Sequence, residues 1–229
     1  MDTSQEEYFV RWRVSPREMD ALWAAGWRHF GALFFRHRRV EYDGRGCTVL
    51  PLRVDLRRFA PSRSQRRVLA ANRDARVRVA PTDVTDEMEE MFERHKARFR
   101  AHVPDSLDDF LSFEPAWVPC PNEMICVRLA GRLAAVSFLD VGQTATSAVY
   151  AMFDPAHSRR SLGIFTMLEA IRYSRERGRR HYYPGYACVE PSVYDYKKNF
   201  AGLECYDWRG AWHSAPKGGD GEGVPGAGC

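Results

Sequence analysis

Lysine, paired cysteines and long apolar runs are all scarce in this sequence, and each shortage excludes a class of protein. No apolar stretch approaches the roughly 18–20 residues that a membrane-spanning helix needs, so no membrane association is expected. The N-terminus, MDTSQEEYFV, is acidic and lacks the basic-then-apolar pattern of an export signal, which points to the cytoplasm. The six cysteines, Cys47, Cys120, Cys126, Cys188, Cys205 and Cys229, contain no CxxC pair. Their gaps match neither a zinc site nor a secreted disulfide framework, so buried free thiols are expected and metal ligation is not.

What is present is the composition of a globular chain. The 229 residues are 45% hydrophobic and 28% charged, with a formal net charge of +4. Only Lys96, Lys197, Lys198 and Lys217 are lysines, so thirty of the thirty-four cationic side chains are arginine, whose planar fork suits phosphate and carboxylate. The arginines are unevenly placed. From Arg53 to Arg78 nine of them stand against Asp55 and Asp74 alone. Within this block Pro61-Ser62 can open a helix through Gln65 to Asn72, which puts Arg63, Arg66 and Arg67 on its first two turns and makes a plausible phosphate cradle. A solvated surface helix is the plain alternative.

The rest of the chain divides by periodicity. Ser15, Pro16 and Glu18 open a helix over 15–27. WRHFGALFFRHRRVEY reads as a strand pair, and Leu50 to Leu56 alternates as a strand. Residues 84–101 form an amphipathic helix with His95 packed at its edge, and VPDSLDDFLSF reads as a mobile linker with a short helix. Three antiparallel strands follow within 124–153, then a helix over 161–177, a strand at HYYPGYACV and a last strand near CYDWRGAW. This order predicts an α+β fold of the acyltransferase (GNAT) type, with a mixed, mainly antiparallel sheet and flanking helices beside a small N-terminal α/β region. The expected divisions are 1–80 as the arginine-rich region, 81–213 as the catalytic domain and 214–229 as a disordered tail.

Acetyl-CoA enzymes of that architecture grip pyrophosphate with a [RQ]-x-x-G-x-[GA] turn. Here the turn reads Arg160-Ser161-Leu162-Gly163-Ile164-Phe165. A ring at Phe165 is expected to crowd a pyrophosphate at the helix N-terminus, which argues for a scaffold without CoA.

GWRHFGALFFR, LPLRVDLRRFAPSRSQRRVLAANRD, SLG, YYPGY and YDYKKNF together resemble the arginyl/leucyl-tRNA–protein transferases, most of all the short bacterial aspartate/glutamate leucyltransferases. The resemblance covers roughly residues 20–210. It implies transfer of leucine or arginine from aminoacyl-tRNA to the N-terminal amine of an acceptor protein, marking it for degradation, with charged tRNA as co-substrate and no cofactor. It also implies an N-terminal cysteine cluster holding zinc or iron–sulfur. The corresponding stretch, RRVEYDGRGCTVLPLRV, keeps Cys47 alone, so that feature is missing.

The same resemblance suggests roles. Arg53, Arg63, Ser64, Gln65, Arg66 and Arg67 would meet the tRNA acceptor arm. Ser161, Gly163 and Tyr150 would surround the helix N-terminus near the ester, Tyr150 being equally readable as strand core. Asp140, which ends a strand where folds of this type open their cleft, would hold or deprotonate the attacking amine, with a turn-capping aspartate as the alternative. Tyr186, Tyr196 and Lys197 would touch the acceptor or the terminal nucleotide. The chain is expected to act as a monomer. Competing readings are a repurposed tRNA-dependent amide-forming enzyme, a CoA-dependent N-acetyltransferase, and an RNA-binding remnant without turnover.

Overall fold

The computed structural model describes residues 6–42, 44–99 and 103–215. Residues 216–229, most of the expected tail, lie outside them. The strands are β1 (Glu6–Val10), β2 (Arg28–Phe30), β3 (Leu33–His37), β4 (Arg39–Tyr42), β5 (Arg45–Asp55), β6 (Arg76–Pro81), β7 (Asn122–Leu129), β8 (Arg132–Val141), β9 (Ala145–Phe153), β10 (His181–Cys188), β11 (Leu203–Tyr206) and β12 (Trp212–Ser214). The helices are α1 (Pro16–Ala24), α2 (Arg63–Ala71), α3 (Asp86–Lys96) and α4 (Leu162–Glu176).

Among the described residues nine strands form one sheet in the order β12-β11-β5-β10-β9-β8-β7-β6, with β4 paired to β5. Every pairing is antiparallel except β9 with β10, so the fold is α+β with a mixed, mainly antiparallel sheet, as the periodicity predicts. A separate sheet, β1-β3-β2, holds the first strand pair. Strands β4 and β5 come from the first eighty residues, and the predicted 80/81 boundary falls inside β6.

Strand alternation sends successive residues to opposite faces, and the helices cover both. Phe138 packs with Met88, Met91 and Phe92 of α3, whereas Leu139 packs with Leu168 and Ile171 of α4. Tyr182 joins the α4 side, and its neighbour Tyr183 joins Met19 and Trp23 of α1. Helix α1 carries the predicted capping box, Ser15 with Glu18. Its Asp20 accepts from Thr144 N at 2.7 Å, pinning the β8–β9 turn.

Two sequence expectations fail here. VPDSLDDFLSF is no loose linker: Leu107 and Leu111 are buried under α3, and Phe110 stacks on Tyr150. Nor are all the thiols free. The β5–β10 ladder brings Cys47 and Cys188 together as a disulfide with Cα atoms 5.8 Å apart, while Cys120, Cys126 and Cys205 stay free and buried. A zinc or iron–sulfur group does not fit this stretch, because its one thiol is already joined to Cys188.

Gly202 stands where β11 approaches β5. Its φ is +73°, and an added Cβ would lie 2.7 Å from the Asp55 carbonyl oxygen. We expect Gly202→Ala to cost roughly 2–4 kcal/mol by left-handed strain plus overpacking. Gly178, with φ +69° and open space around it, supplies the comparison: Gly178→Ala carries the strain alone, and urea denaturation should separate the two.

Candidate active site where two parallel strands part

Strands β9 and β10 run together for only three residue pairs, Ala145 with His181, Thr146 with Tyr182 and Ser147 with Tyr183. Past that point β9 follows β8 and β10 follows β5, so a wedge opens in the middle of the sheet. Its vertex is filled by side chains.

Arg28, from β2, donates to the hydroxyl of Ser147 and to the carbonyl of Ala148. Lys197, from the short 3-10 turn Asp195–Asn199, donates to the Tyr186 carbonyl at 3.0 Å. Both cations lie against Gly185, where a Cβ would stand 3.3 Å from Lys197 Nζ and 3.8 Å from Arg28 Nη2. That crowding, together with φ +96°, explains the glycine of YYPGY. Burial and the nearby Arg28 charge pull the Lys197 ammonium down to about 7.

Aromatic residues line the arms. Tyr150 on β9 stacks on Phe110 with ring centroids 3.9 Å apart, and burial pushes its hydroxyl up to about 12. The hydroxyls of Tyr150 and Tyr182 are buried without a hydrogen-bond partner among the described residues. Tyr196 is exposed at the mouth, and Tyr186 donates to the Gly26 carbonyl at 2.6 Å. Arg98 feels both Tyr150 and Tyr196 and lies 4.4 Å over the Phe153 ring, bringing a further cation to this side.

Behind the vertex sits a closed polar network. His29 Nδ1 faces the Gly31 carbonyl at 2.9 Å, and His29 Nε2 faces Asp140 Oδ2 at 2.7 Å. The other Asp140 oxygen accepts from Asn122 at 2.8 Å. Asp140 is 1% exposed, and His29 joins it to the strand that bears Arg28. Cys120 lies close by, and His29, Cys120 and Asp140 offer donor atoms within 4.8 Å of one another. Burial pushes the Cys120 thiol up.

The arginine motif proves to have two faces. Arg63, Ser64, Arg66 and Arg67 are exposed on α2. Gln65, by contrast, is buried: it completes the helix cap with Ser62 and donates to the Asn199 carbonyl at 3.1 Å. At the other end Asn72 donates to the Arg160 carbonyl at 2.9 Å, and Asp74 pairs with the Arg160 guanidinium at 2.7 Å. Helix α2 is thus tied to the segment bearing Tyr196 and Lys197 and also to the entrance of α4. Arg53 is half-buried, its Nε paired with Glu204 at 2.7 Å and its guanidinium lying 4.4 Å over the Trp212 ring.

At the α4 entrance Ser161 adopts a left-handed conformation, with φ 53° and ψ 45°, and Gly163 follows in the first turn. Phe165 does not crowd this end. Its ring is buried against Val127, Leu129, Ala134 and Ala135, so the expected obstruction is absent, and the case against CoA cannot rest on it. Arg28, His29, Arg98 and Tyr182 escape sequence reasoning. The one sequence signal for Arg28 is a charged residue inside the otherwise aromatic GWRHFGALFF stretch.

The wedge thus has cations at its vertex, and the arginine helix is anchored at Asn199 and at Arg160. Residues 81–207 match the family model described as arginine-tRNA-protein transferase, C terminus. The aspartate/glutamate leucyltransferase of Stenotrophomonas maltophilia K279a is 34% identical over 200 residues, covering 82% of this chain and 76% of that one. The chain belongs to the arginine-tRNA–protein transferase family. Another relative, the aspartate/glutamate leucyltransferase of Xanthomonas axonopodis pv. citri 306, is 37% identical over 177 residues, covering 72% of this chain and 70% of its own. Among solved structures, the C-terminal domain of a putative lysylphosphatidylglycerol synthetase from Agrobacterium fabrum aligns with a TM-score of 0.49 at 21% identity, over 80% of this chain and 54% of that one. Membership in the family makes the protein an aminoacyltransferase that draws its acyl group from charged tRNA. No helix among the described residues is long and apolar enough to cross a membrane.

Proposed function

We propose that the protein transfers leucine from charged tRNA to the α-amine of proteins whose first residue is aspartate or glutamate. The observation that carries this reading is the wedge between β9 and β10, with Arg28 and Lys197 at its vertex and tyrosines on its arms. The names of the relatives supply the amino acid and the acceptor residues.

The chemistry asks for little acid–base help. A neutral amine attacks the ester carbonyl; the new C–N bond forms as the C–O bond to the terminal ribose breaks. The amine's proton ends on the departing ribose oxygen. Holding the two reactants together is the main task. The first N–H groups of α4, at Leu162 and Gly163, have no carbonyl within the helix to bond, and in this reading they donate to the developing oxyanion. In this reading the arginine-rich face within residues 1–80 holds the acceptor arm, residues 81–213 supply most of the wedge, and Tyr150, Tyr196 and Arg98 receive the terminal adenosine and its phosphate.

The test is transfer of labelled amino acids from bulk charged tRNA to peptides beginning Asp, Glu or Ala. Label from leucine on the acidic-start peptides, abolished by ribonuclease, supports the reading; label from arginine alone, or none, rejects it. For the arginine face, the double variant Arg66→Ala/Arg67→Ala should stay folded, since both side chains are exposed, and should lose about tenfold in tRNA affinity with a shallower salt dependence. Unaltered binding would remove α2 from the RNA interface.

A further inference from the structure

We propose that Arg28 and Lys197 together form the receptor for the side-chain carboxylate of the acceptor's first residue, a specificity site at the vertex of the wedge. The inference rests on the transferase reading above and deepens it.

Arginine offers five N–H donors and lysine three. Arg28 directs two donors at Ser147 and Ala148, and Lys197 directs one at Tyr186. Among the described residues neither cation has a carboxylate within ion-pair distance. The acid that does act on Arg28 from farther away, Asp140, has both oxygens engaged by His29 and Asn122. Two like charges brought this close in a buried place are costly unless an anion joins them. Tyr182 adds a buried hydroxyl without a partner among the described residues, on the strand that carries Gly185 and within electrostatic reach of Arg28.

The position selects the kind of anion. The vertex lies where the strands begin to part, inward of Tyr150 and Tyr196. A carboxylate on a stem of one or two methylenes is a chain end and can enter a narrow vertex. A phosphodiester is bonded on both sides and would have to bring two riboses with it. The outer cation, Arg98, and the exposed arginines of α2 are better placed for phosphates. Groups facing Lys197 are Arg28 from β2, the Tyr186 carbonyl from β10 and the Tyr194 ring, 4.8 Å from Nζ. None of them supplies a negative charge at neutral pH.

The experiment is calorimetric binding of two short peptides, identical except for Asp or Asn at the first position, to the full chain and to the variants Lys197→Met and Arg28→Lys. The wild type should prefer the Asp peptide by about 10–100-fold, and each variant should bring the ratio towards one. Should Arg28→Lys fail to fold, because it loses the Ser147 and Ala148 contacts, Lys197→Met reads the same ratio alone. Equal binding of both peptides by the wild type would overturn the proposal whatever the transfer assay gives, as would a ratio that survives both substitutions. Reduced tRNA affinity with the peptide ratio intact would assign the vertex to a phosphate and overturn it too. Asp-selective binding without transfer would leave this site standing and reject the proposed reaction instead.

Discussion

Lys197→Met should raise the melting temperature at pH 6 while abolishing preference for acidic acceptors. Burial and Arg28 lower the ammonium from its ordinary 10.5 to about 7 in the folded chain, so folding weakens its hold on the proton. The resulting penalty on the folded state is complete below about pH 7, shrinks as pH rises from 7 to 10.5, and vanishes above that. Removing the charge should therefore stabilise by on the order of 2–4 kcal/mol at pH 6, less the lost bond to the Tyr186 carbonyl. The gain should fade when the scan is repeated at pH 9.5. A melting temperature that drops at pH 6 would mean the ammonium supports the fold and has its anion elsewhere. The same logic shapes the pH profile of transfer. The acceptor amine must be neutral, which favours pH above about 8, whereas Lys197 must be charged, which favours pH below its own midpoint. For Asp-start peptides kcat/KM should form a bell, and for Asn-start peptides the rising limb alone should remain.

The second large effect is expected at Asp140. Asp140→Ala leaves His29 and Asn122 facing a void inside the molecule and should cost about 3–5 kcal/mol. Asp140→Asn behaves differently. The amide can donate to His29 Nε2 and accept from Asn122, so every group in the network keeps a partner and the loss should stay near 1 kcal/mol. If Asp140 only positions β2, the Asn variant should keep kcat within about tenfold of wild type. A well-folded Asp140→Asn protein that has lost several orders of magnitude in kcat would instead make Asp140 the proton acceptor, as the strand-end position suggests from sequence alone.

How much of this was legible in the sequence depends on the range of the interaction. The capping box at Ser15, the helix opened by Pro61-Ser62, the three antiparallel strands and the α4 periodicity are local, and each appears where the pattern puts it. The segment LPLRVDLRRFAPSRSQRRVLAANRD helps carry the family resemblance, yet the buried part of its helix is invisible: Gln65 and Asn72 look like ordinary helix polar residues until their distant carbonyl partners, Asn199 and Arg160, are in view. The same holds for the vertex. Arg28 and Lys197 are 169 positions apart, on segments whose meeting depends on β10 crossing to β5. Asp140 is legible from its strand-end position, but its partner is not, because His29 lies in a strand of the other sheet. The disulfide was missed for a similar reason, since cysteine spacing says nothing about strands that pair across 141 residues.

The parting of β9 and β10 has a mechanical side. Two strands that stop pairing in mid-sheet expose complementary edges, and such edges tend to zip together. Arg28 occupies the Ala148 carbonyl on one edge and Lys197 the Tyr186 carbonyl on the other, each filling the seat that a partner strand would take. These two side chains therefore act as a spacer, and without them the gap that admits two substrates would tend to heal into continuous sheet.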